Sequence, residues 1–178
     1  MPDMNNKDLN TAIMLIKAKT NMIKTVFESL KHISGIKAAT ITMGPYDCVC
    51  FLEANGWDNL FEIIKSIREL NGLKSTVSLP VHRNFGKLSA KLSAIILTRL
   101  MRGDVDEMAE RLYNSSETIN YSASVAGPYD IVMSMNPALI RTPAELRQKL
   151  LEEIRVFEEI KDTVTLVAGP YYYASSGS

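Results

Sequence analysis

The residues best suited to chemistry lie in a tetrapeptide, Gly-Pro-Tyr-Asp, that occurs at residues 44–47 and again at residues 127–130. Glycine, proline and aspartate favour tight turns, and apolar segments flank both copies, so each copy is predicted to close a β-hairpin. A carboxylate beside such a turn can pair with the ammonium group of an amino acid, and turn N–H groups can hold its carboxylate. Asp47 and Asp130 are therefore the first candidate ligand-binding residues.

Other groups complete a ligand site that occurs twice in the chain. The predicted ligand-binding residues are Gly44, Tyr46, Asp47, Thr76, Ser78, Gly127, Tyr129, Asp130, Thr163 and Thr165. The strand hydroxyls are expected to help hold the ligand's carboxylate, and the tyrosines to wall the pocket. A structural interpretation stays open beside this one: the aspartates shape the hairpins and the tyrosines form cross-strand pairs. Replacing either aspartate by alanine is expected to weaken ligand binding and to leave the core intact.

The two cysteines, Cys48 and Cys50, predict neither a disulfide nor a metal site. On a strand their side chains point to the same face, where a bridge between them would be strained, and the further ligands of a zinc site are missing. Their counterparts 83 residues later are the apolar Ile131 and Met133. The cysteines are therefore predicted to be small hydrophobic residues of the core.

The two histidines, His32 and His82, lack a second histidine or a carboxylate at metal-ligand spacing, and neither recurs in the other half of the chain. The default interpretation of His32 is a helix-end residue that interacts with terminal carbonyls. The sequence predicts no metal, no cofactor and no catalytic residue, and the chain is predicted not to be an enzyme.

The candidate residues are positioned by two similar half-chains. Gly44 and Gly127 are 83 residues apart, a period too long for a solenoid unit and suited to a small domain. Each half predicts the order strand, helix, strand, strand, helix, strand. The strands predicted in the first half are residues 11–18, 36–43, 48–54 and 76–81. An apolar stripe with helical spacing separates the first strand from the second and the third from the fourth.

The spacing between the copies grows along the chain. Residues 74–77 correspond to residues 161–164, an offset of 87 where the tetrapeptides have 83. The second half therefore carries about four extra residues, which are predicted to lie at 136–141.

Sheets with helices on one face leave the other face bare, and strands that are apolar on both sides need that face covered. We therefore predict an α+β fold of two tandem ferredoxin-like βαββαβ units that pack their sheets face to face as an intramolecular pseudo-dimer, a dimeric α/β-barrel arrangement. The units are residues 9–82 and 92–173. A polar linker spans 83–91, and a disordered tail covers 174–178.

Composition narrows the function classes. The chain has 178 residues with Lys+Arg 20 and Asp+Glu 20, so its net charge is zero and direct binding to nucleic acid is not expected. No apolar segment approaches the roughly 20 residues that cross a bilayer. Residues 1–8 are polar and lack the apolar core of a signal peptide. A cytoplasmic protein without membrane contact is predicted.

With the tetrapeptide on a hairpin between the second and third strands, each half resembles the effector-binding RAM domain of the Lrp/AsnC (feast/famine) transcriptional regulators. The matching stretches are residues 36–76 and 119–163, and the resemblance covers nearly the whole chain. It implies a small-molecule effector, an amino acid in first place, and assembly into homo-oligomers. The family's helix-turn-helix does not fit into the ten residues before the first strand, so the resemblance implies a stand-alone sensor that acts through oligomers or helix-turn-helix relatives.

Two other functions stay open. The first is an enzyme of the dimeric α/β-barrel kind, such as a small monooxygenase, an isomerase or a haem-handling protein, for which only His82, Asp47, Asp130 or a buried tyrosine would serve as acid or base. The second is a structural partner that forms mixed oligomers with helix-turn-helix relatives.

Overall fold

The computed structural model describes residues 9–174. Its described residues divide into two compact units. Unit 1 contains the residues up to Pro80 and those from Pro170 onward, and unit 2 contains Val81–Gly169. The predictions for residues 1–8 and for tail residues 175–178 lie outside the described residues. The fold is α+β, as predicted.

Each half of the chain follows the predicted order of strands and helices. The first half contains β1 (Leu9–Ala18), a 3-10 turn (Thr20–Met22), α1 (Ile23–Leu30), β2 (Ile36–Met43), β3 (Cys48–Asn55), α2 (Trp57–Arg68) and β4 (Leu73–Gly86). The second half contains β5 (Ala94–Leu100), α3 (Val105–Ser115), β6 (Ile119–Val125), β7 (Ile131–Met135), α4 (Pro143–Lys149), a π-helix (Leu150–Ile154) and β8 (Ile160–Tyr173).

In unit 1, β1 lies between β3 and β4 and is antiparallel to both. Met14 of β1 lies opposite Cys50 on one side and Ser78 on the other. β2 pairs with the far side of β3. The remaining edge of β2 meets the last residues of β8, where the Thr40 hydroxyl donates to the Pro170 carbonyl at 3.1 Å. Helices α1 and α2 cover the face that carries Met14.

In unit 2, β5 lies between β7 and β8 and is antiparallel to both. Ile96 of β5 lies opposite Met133 and Thr165. β6 pairs with β7 and, on its other side, with the last residues of β4. The side chains of α3, α4 and the π-helix form one core with Ile96 and Met133.

Two helices in unit 2 begin with a side-chain cap. The Asp104 carboxylate accepts a hydrogen bond from the Glu107 N–H at 2.9 Å and begins α3. Thr142 and Glu145 form a reciprocal capping box at the start of α4, whose first residue is Pro143. Such caps satisfy N–H groups that the helix itself leaves unpaired. Among the described residues, no helix is long and apolar enough to cross a membrane.

The predicted linker begins too early. Residues 83–86 belong to β4 and pair with β6, with Arg83 opposite Ser124 and Phe85 opposite Ser122. Polar side chains and a glycine made this stretch look irregular, but a strand that exposes one face to water carries the same residue types. The units correspondingly divide between Pro80 and Val81 rather than after residue 82. The face-to-face packing of the two sheets stays a prediction.

Candidate functional site

The first tetrapeptide is fastened to the end of β1 by its aspartate. Asp47 Oδ2 accepts a hydrogen bond from the Ala18 N–H at 2.9 Å. The Asp47 N–H donates to the Ile16 carbonyl at 2.8 Å, and the Asp47 carbonyl accepts from the Thr42 N–H at 2.9 Å. Backbone and side chain of one residue thus connect the β2–β3 hairpin to β1.

The second tetrapeptide repeats this arrangement. Asp130 Oδ2 accepts from the Leu100 N–H at 2.7 Å. The Asp130 N–H donates to the Thr98 carbonyl and its carbonyl accepts from the Val125 N–H, both at 2.9 Å. The geometry therefore gives both aspartates a structural role. Their contact with a ligand stays a prediction.

The other tetrapeptide residues also have counterparts in the two units. The Lys17 ammonium lies 5.6 Å from the centre of the Tyr46 ring, and the Arg99 guanidinium lies 5.8 Å from that of Tyr129. Both cations belong to the first strand of their half, so each tyrosine adds a cation–π contact to the same junction. Gly44 and Gly127 have φ of 147° and 131°, a region in which other residues are strained.

The predicted hydroxyl groups lie across a strand from the hairpins. Thr76 of β4 pairs with Ile16 from one side, while Asp47 bonds to Ile16 from the other. Two strand spacings, about 10 Å, therefore separate the backbones of Thr76 and Asp47. Thr163 pairs with Thr98 in the same way opposite Asp130. In a free amino acid the ammonium and carboxylate groups are attached to the same carbon, so one molecule does not span the distance between the hairpin aspartate and the strand hydroxyl. The predicted residues therefore do not form one compact site.

Thr165 instead lines a pocket in unit 2, between the helical segment after β7 and strand β8. The pocket has a volume of about 330 Å³. Its lining combines an apolar floor with two guanidinium groups and a hydroxyl: Pro143, Leu146, Arg147, Leu150, Leu151, Arg155 and Thr165. Thr163 borders a neighbouring cleft, which shares Arg155.

Arg155 connects the pocket to β8. Its Nε donates a hydrogen bond to the Thr163 hydroxyl at 3.0 Å, and its backbone N–H donates to the Leu150 carbonyl at 2.9 Å, a bond across five residues. This wider bond belongs to the π-helix, a form that is rare and frequent at functional sites. The residue that follows the π-helix is thus an arginine that is held beside a strand hydroxyl.

The π-helix accounts for one of the extra residues of the second half. Helix N-caps Gly56 and Thr142 are 86 residues apart, so three of the four extra residues precede the helix, in and next to the predicted segment 136–141. The fourth lies inside the helix. In α2 the buried residues are Leu60, Ile64 and Ile67. Their counterparts are Leu146, Leu150 and Ile154, whose last step is one residue longer.

Glu153, one of the two acidic residues of the π-helix, binds groups outside the pocket. Glu153 accepts hydrogen bonds from Ser116 and, at 2.8 Å, from the Thr118 hydroxyl, and it forms an ion pair with Lys149 at 2.9 Å. Burial raises the pKa of Glu153, but the hydrogen bonds from Ser116, Lys149 and Thr118 outweigh it and lower the pKa below its usual value. The carboxylate stays charged and ties the π-helix to the segment that follows α3.

Arg147 and Arg155 were absent from the predicted ligand-binding set, which contained only Thr163 and Thr165 from this region. The signal in the sequence is the spacing of the apolar residues. Residues 146, 150 and 154 follow one another at steps of four and four, whereas residues 60, 64 and 67 follow at steps of four and three. That shift in period marks an inserted residue, and an inserted residue in a helix produces a π-helical turn.

The cysteines are core residues of unit 1, as predicted. Cys48 and Cys50 are both fully buried. Burial, with a smaller effect of Asp47, raises the pKa of the Cys48 thiol to about 12. Burial also raises the pKa of Cys50. Neither thiol forms the reactive thiolate near neutral pH. Among the described residues, no group of three or more potential metal ligands comes together.

No protein-family model matches the sequence, and no curated protein matches it. Solved structures match the fold. The siroheme decarboxylase NirDL, in complex with an iron-uroporphyrin III analogue, aligns with a TM-score of 0.70 and 8% identity over 95% of this chain and 74% of its own. An anthrone oxidase-like protein aligns with a TM-score of 0.52 and 10% identity over 97% of this chain and 95% of its own. AsnC of E. coli aligns with a TM-score of 0.43 and 20% identity over 50% of this chain and 60% of its own.

The prediction that the chain is not an enzyme is contradicted by the whole-chain matches. A siroheme decarboxylase has this fold over 95% of the chain. The prediction depended on finding no catalytic residues at short spacing in the sequence. Catalytic groups commonly come from distant segments that only the fold brings together, so their absence from short sequence motifs does not exclude an enzyme.

Proposed function

We propose that the chain binds a small organic acid in the α4–π-helix–β8 pocket and serves as a small-molecule sensor related to the Lrp/AsnC regulators. The observation that carries the proposal is the Arg155 guanidinium, which the π-helix holds against Thr163 beside an apolar floor. The doubled tetrapeptide hairpins, with the same hydrogen bonds in both units, support the relation to the regulators.

The chemistry of the lining favours a carboxylate with an apolar body. Guanidinium groups bind carboxylates through two parallel hydrogen bonds, and Nε of Arg155 is already oriented by Thr163. Leu146, Leu150 and Leu151 offer an apolar surface for a hydrocarbon side chain. A volume of about 330 Å³ lies at the lower end of the range for small-molecule sites. A free amino acid with an apolar side chain is the first candidate ligand.

The test uses leucine and two analogues that each lack one charged group. Calorimetry should detect binding of leucine and of 4-methylpentanoate, which keeps the carboxylate, but not of 3-methylbutylamine, which lacks it. Arg155→Gln should weaken binding about tenfold or more, the effect of losing a charge-assisted hydrogen bond. Arg68→Gln is the matched control, because Arg68 ends α2 in unit 1. Equal affinity of the two variants, or no binding of either acid, would overturn the proposal.

The sensor would act through association. We propose that the chain forms homo-oligomers and pairs with helix-turn-helix relatives, and that ligand binding changes these equilibria. The balanced charge supports action through protein partners rather than through direct contact with DNA. Sedimentation with and without the ligand measures the association. A mobility-shift assay at near-physiological salt should show no shift of duplex DNA.

A second candidate function is an enzyme that acts on a tetrapyrrole. It is favoured by the whole-chain likeness to NirDL, whose structure holds an iron-uroporphyrin III analogue. Titration of the purified chain with siroheme, followed by its visible absorbance, tests this candidate. A saturable spectral change and loss of carboxylate groups from the product would support it, whereas an unchanged spectrum would count against it.

A further inference from the structure

Unit 2 contains a histidine–aspartate pair outside the pocket. His82 Nδ1 lies 2.9 Å from Asp106 Oδ1 and 2.8 Å from Oδ2. The Ser124 hydroxyl donates a hydrogen bond to Asp106 Oδ1, and Arg83 Nε lies 3.8 Å from Oδ2. We propose that His82 and Asp106 form a proton-transfer site, in which His82 Nε2 is the base and Asp106 is its positioning residue.

The backbone of β4 sets the position of His82 relative to Asp106. In the pairing of β4 with β6, Val81 lies opposite Val125 and Arg83 lies opposite Ser124. Two steps along β4 therefore match one step along β6, and His82 is the extra residue of a β-bulge. A bulge changes the direction in which a side chain points, and bulges are common next to active sites.

The bulge directs His82 to the first turn of α3. Asp106 is the second residue of that helix, which Asp104 caps. A carboxylate in a first helical turn is stabilised by the helix dipole. Three separate segments, the end of β4, the start of α3 and β6, thus supply the imidazole, the carboxylate and the Ser124 hydroxyl.

In the His82–Asp106 pair the imidazole donates and the carboxylate accepts, which leaves one ring nitrogen of His82 available. Hydrogen bonds from Ser124 and then from His82 lower the pKa of Asp106, so its carboxylate is charged at neutral pH and acts as an acceptor. The neutral imidazole must then carry its proton on Nδ1. Nε2 keeps its lone pair, and the His82 side chain is 73% exposed, so a substrate can reach it. The Arg83 guanidinium beside it suits a substrate that bears a negative charge.

The chemistry that this arrangement supports is general-base hydrolysis of an activated acyl ester. A water oxygen attacks the carbonyl carbon while His82 Nε2 takes a proton from that water. The bond between the carbonyl carbon and the leaving oxygen breaks, and its electron pair departs with the alcohol or phenol oxygen. The imidazolium then returns its proton to the leaving group or to solvent. No oxidant or reductant is needed.

The first test determines which ring nitrogen of His82 carries the proton. The chain has two histidines, so nitrogen–proton correlation NMR of histidine-labelled protein gives two sets of ring signals, with His32 as an internal reference. At a pH where both rings are neutral, His82 should carry its proton on Nδ1. Asp106→Ala should shift that proton to Nε2 and leave the His32 signals unchanged. A wild-type His82 with its proton on Nε2 would overturn the proposal.

The second test measures the rate of ester hydrolysis with p-nitrophenyl acetate as the probe. His82→Gln should lower the hydrolysis rate about 100-fold, the usual contribution of a positioned general base. Asp106→Ala should lower it in the same direction, with His32→Gln as the unchanged control. Far-UV circular dichroism checks that each variant is folded. A folded His82→Gln variant that hydrolyses the ester as fast as His32→Gln would refute the assignment, whatever the outcome of the leucine titration.

Discussion

The Asp130 carboxylate accepts a hydrogen bond from the backbone N–H of Leu100 at 2.7 Å, and Asp47 makes the same bond to Ala18 at 2.9 Å. In both units the side chain of a hairpin residue thus completes the end of the neighbouring strand. A backbone N–H at the end of a strand lacks a regular partner, and the aspartate supplies one.

Removing this bond should destabilise the protein. Asp130→Ala leaves the partly buried Leu100 N–H without its acceptor, so the free energy of unfolding should fall by about 1–3 kcal/mol. The core should stay intact, as predicted for either alanine substitution, while the stability falls. Urea denaturation measures the loss, and Glu158→Ala, at a side chain that is 88% exposed, is the control. Equal stability of the two variants would show that the bond is dispensable.

The buried thiols predict an alkaline loss of stability. Burial raises the pKa of Cys48 from 9.0 to about 12, so the folded state holds a proton that the unfolded state releases earlier. The contribution of the protonated Cys48 thiol to the free energy of unfolding is therefore fully present below pH 9 and is lost as the pH rises towards 12. Cys48→Ala should flatten this part of the curve of stability against pH. Denaturation at several alkaline pH values measures it, and an unchanged slope would contradict the prediction.

The same thiols should resist modification in the folded protein. Cys48 and Cys50 are fully buried, and their raised pKa leaves almost no thiolate at pH 8. Ellman's reagent should react with neither until denaturant is added, after which both should react. Rapid reaction of the native protein would show that this part of β3 opens.

Deleting one residue should convert the π-helix into an α-helix. Removal of the exposed Leu151 restores the spacing that Ile64 and Ile67 have in α2. The variant should keep its fold, but Arg155 should lose its bond across five residues and its position beside Thr163. Leucine affinity should fall at least as much as in Arg155→Gln. Calorimetry and thermal denaturation together distinguish loss of the site from loss of the fold.

The strand hydroxyl should matter in unit 2 more than in unit 1. Thr163→Val removes the acceptor that orients Arg155, and leucine affinity should fall about tenfold. Thr76→Val is the matched control, since Thr76 has the same place in β4 of unit 1, opposite Ile16. Similar losses in both variants would mean that the two units bind the ligand equally.

Local signals in the sequence determined the elements. The doubled tetrapeptide, the apolar periods and the caps at Asp104 and Thr142 act within a few residues of the chain, so element order, hairpins and helix starts follow from them. The apolar counterparts Ile131 and Met133 likewise identified the cysteines as core residues. These features depend on short-range geometry that the residue types themselves impose.

Only the tertiary structure decided what the polar residues do. Asp47 contacts Ala18 across 29 residues, and His82 meets Asp106 across 24, because strand pairing and a bulge bring them together. Residues 83–86 extend β4 because β6 offers them a partner, which their own polarity does not reveal. The sequence alone determined the order of turns, strands and helices. Which carboxylate holds a strand, and which side chain faces a pocket, depends on contacts between distant segments, whose free energies no local pattern encodes.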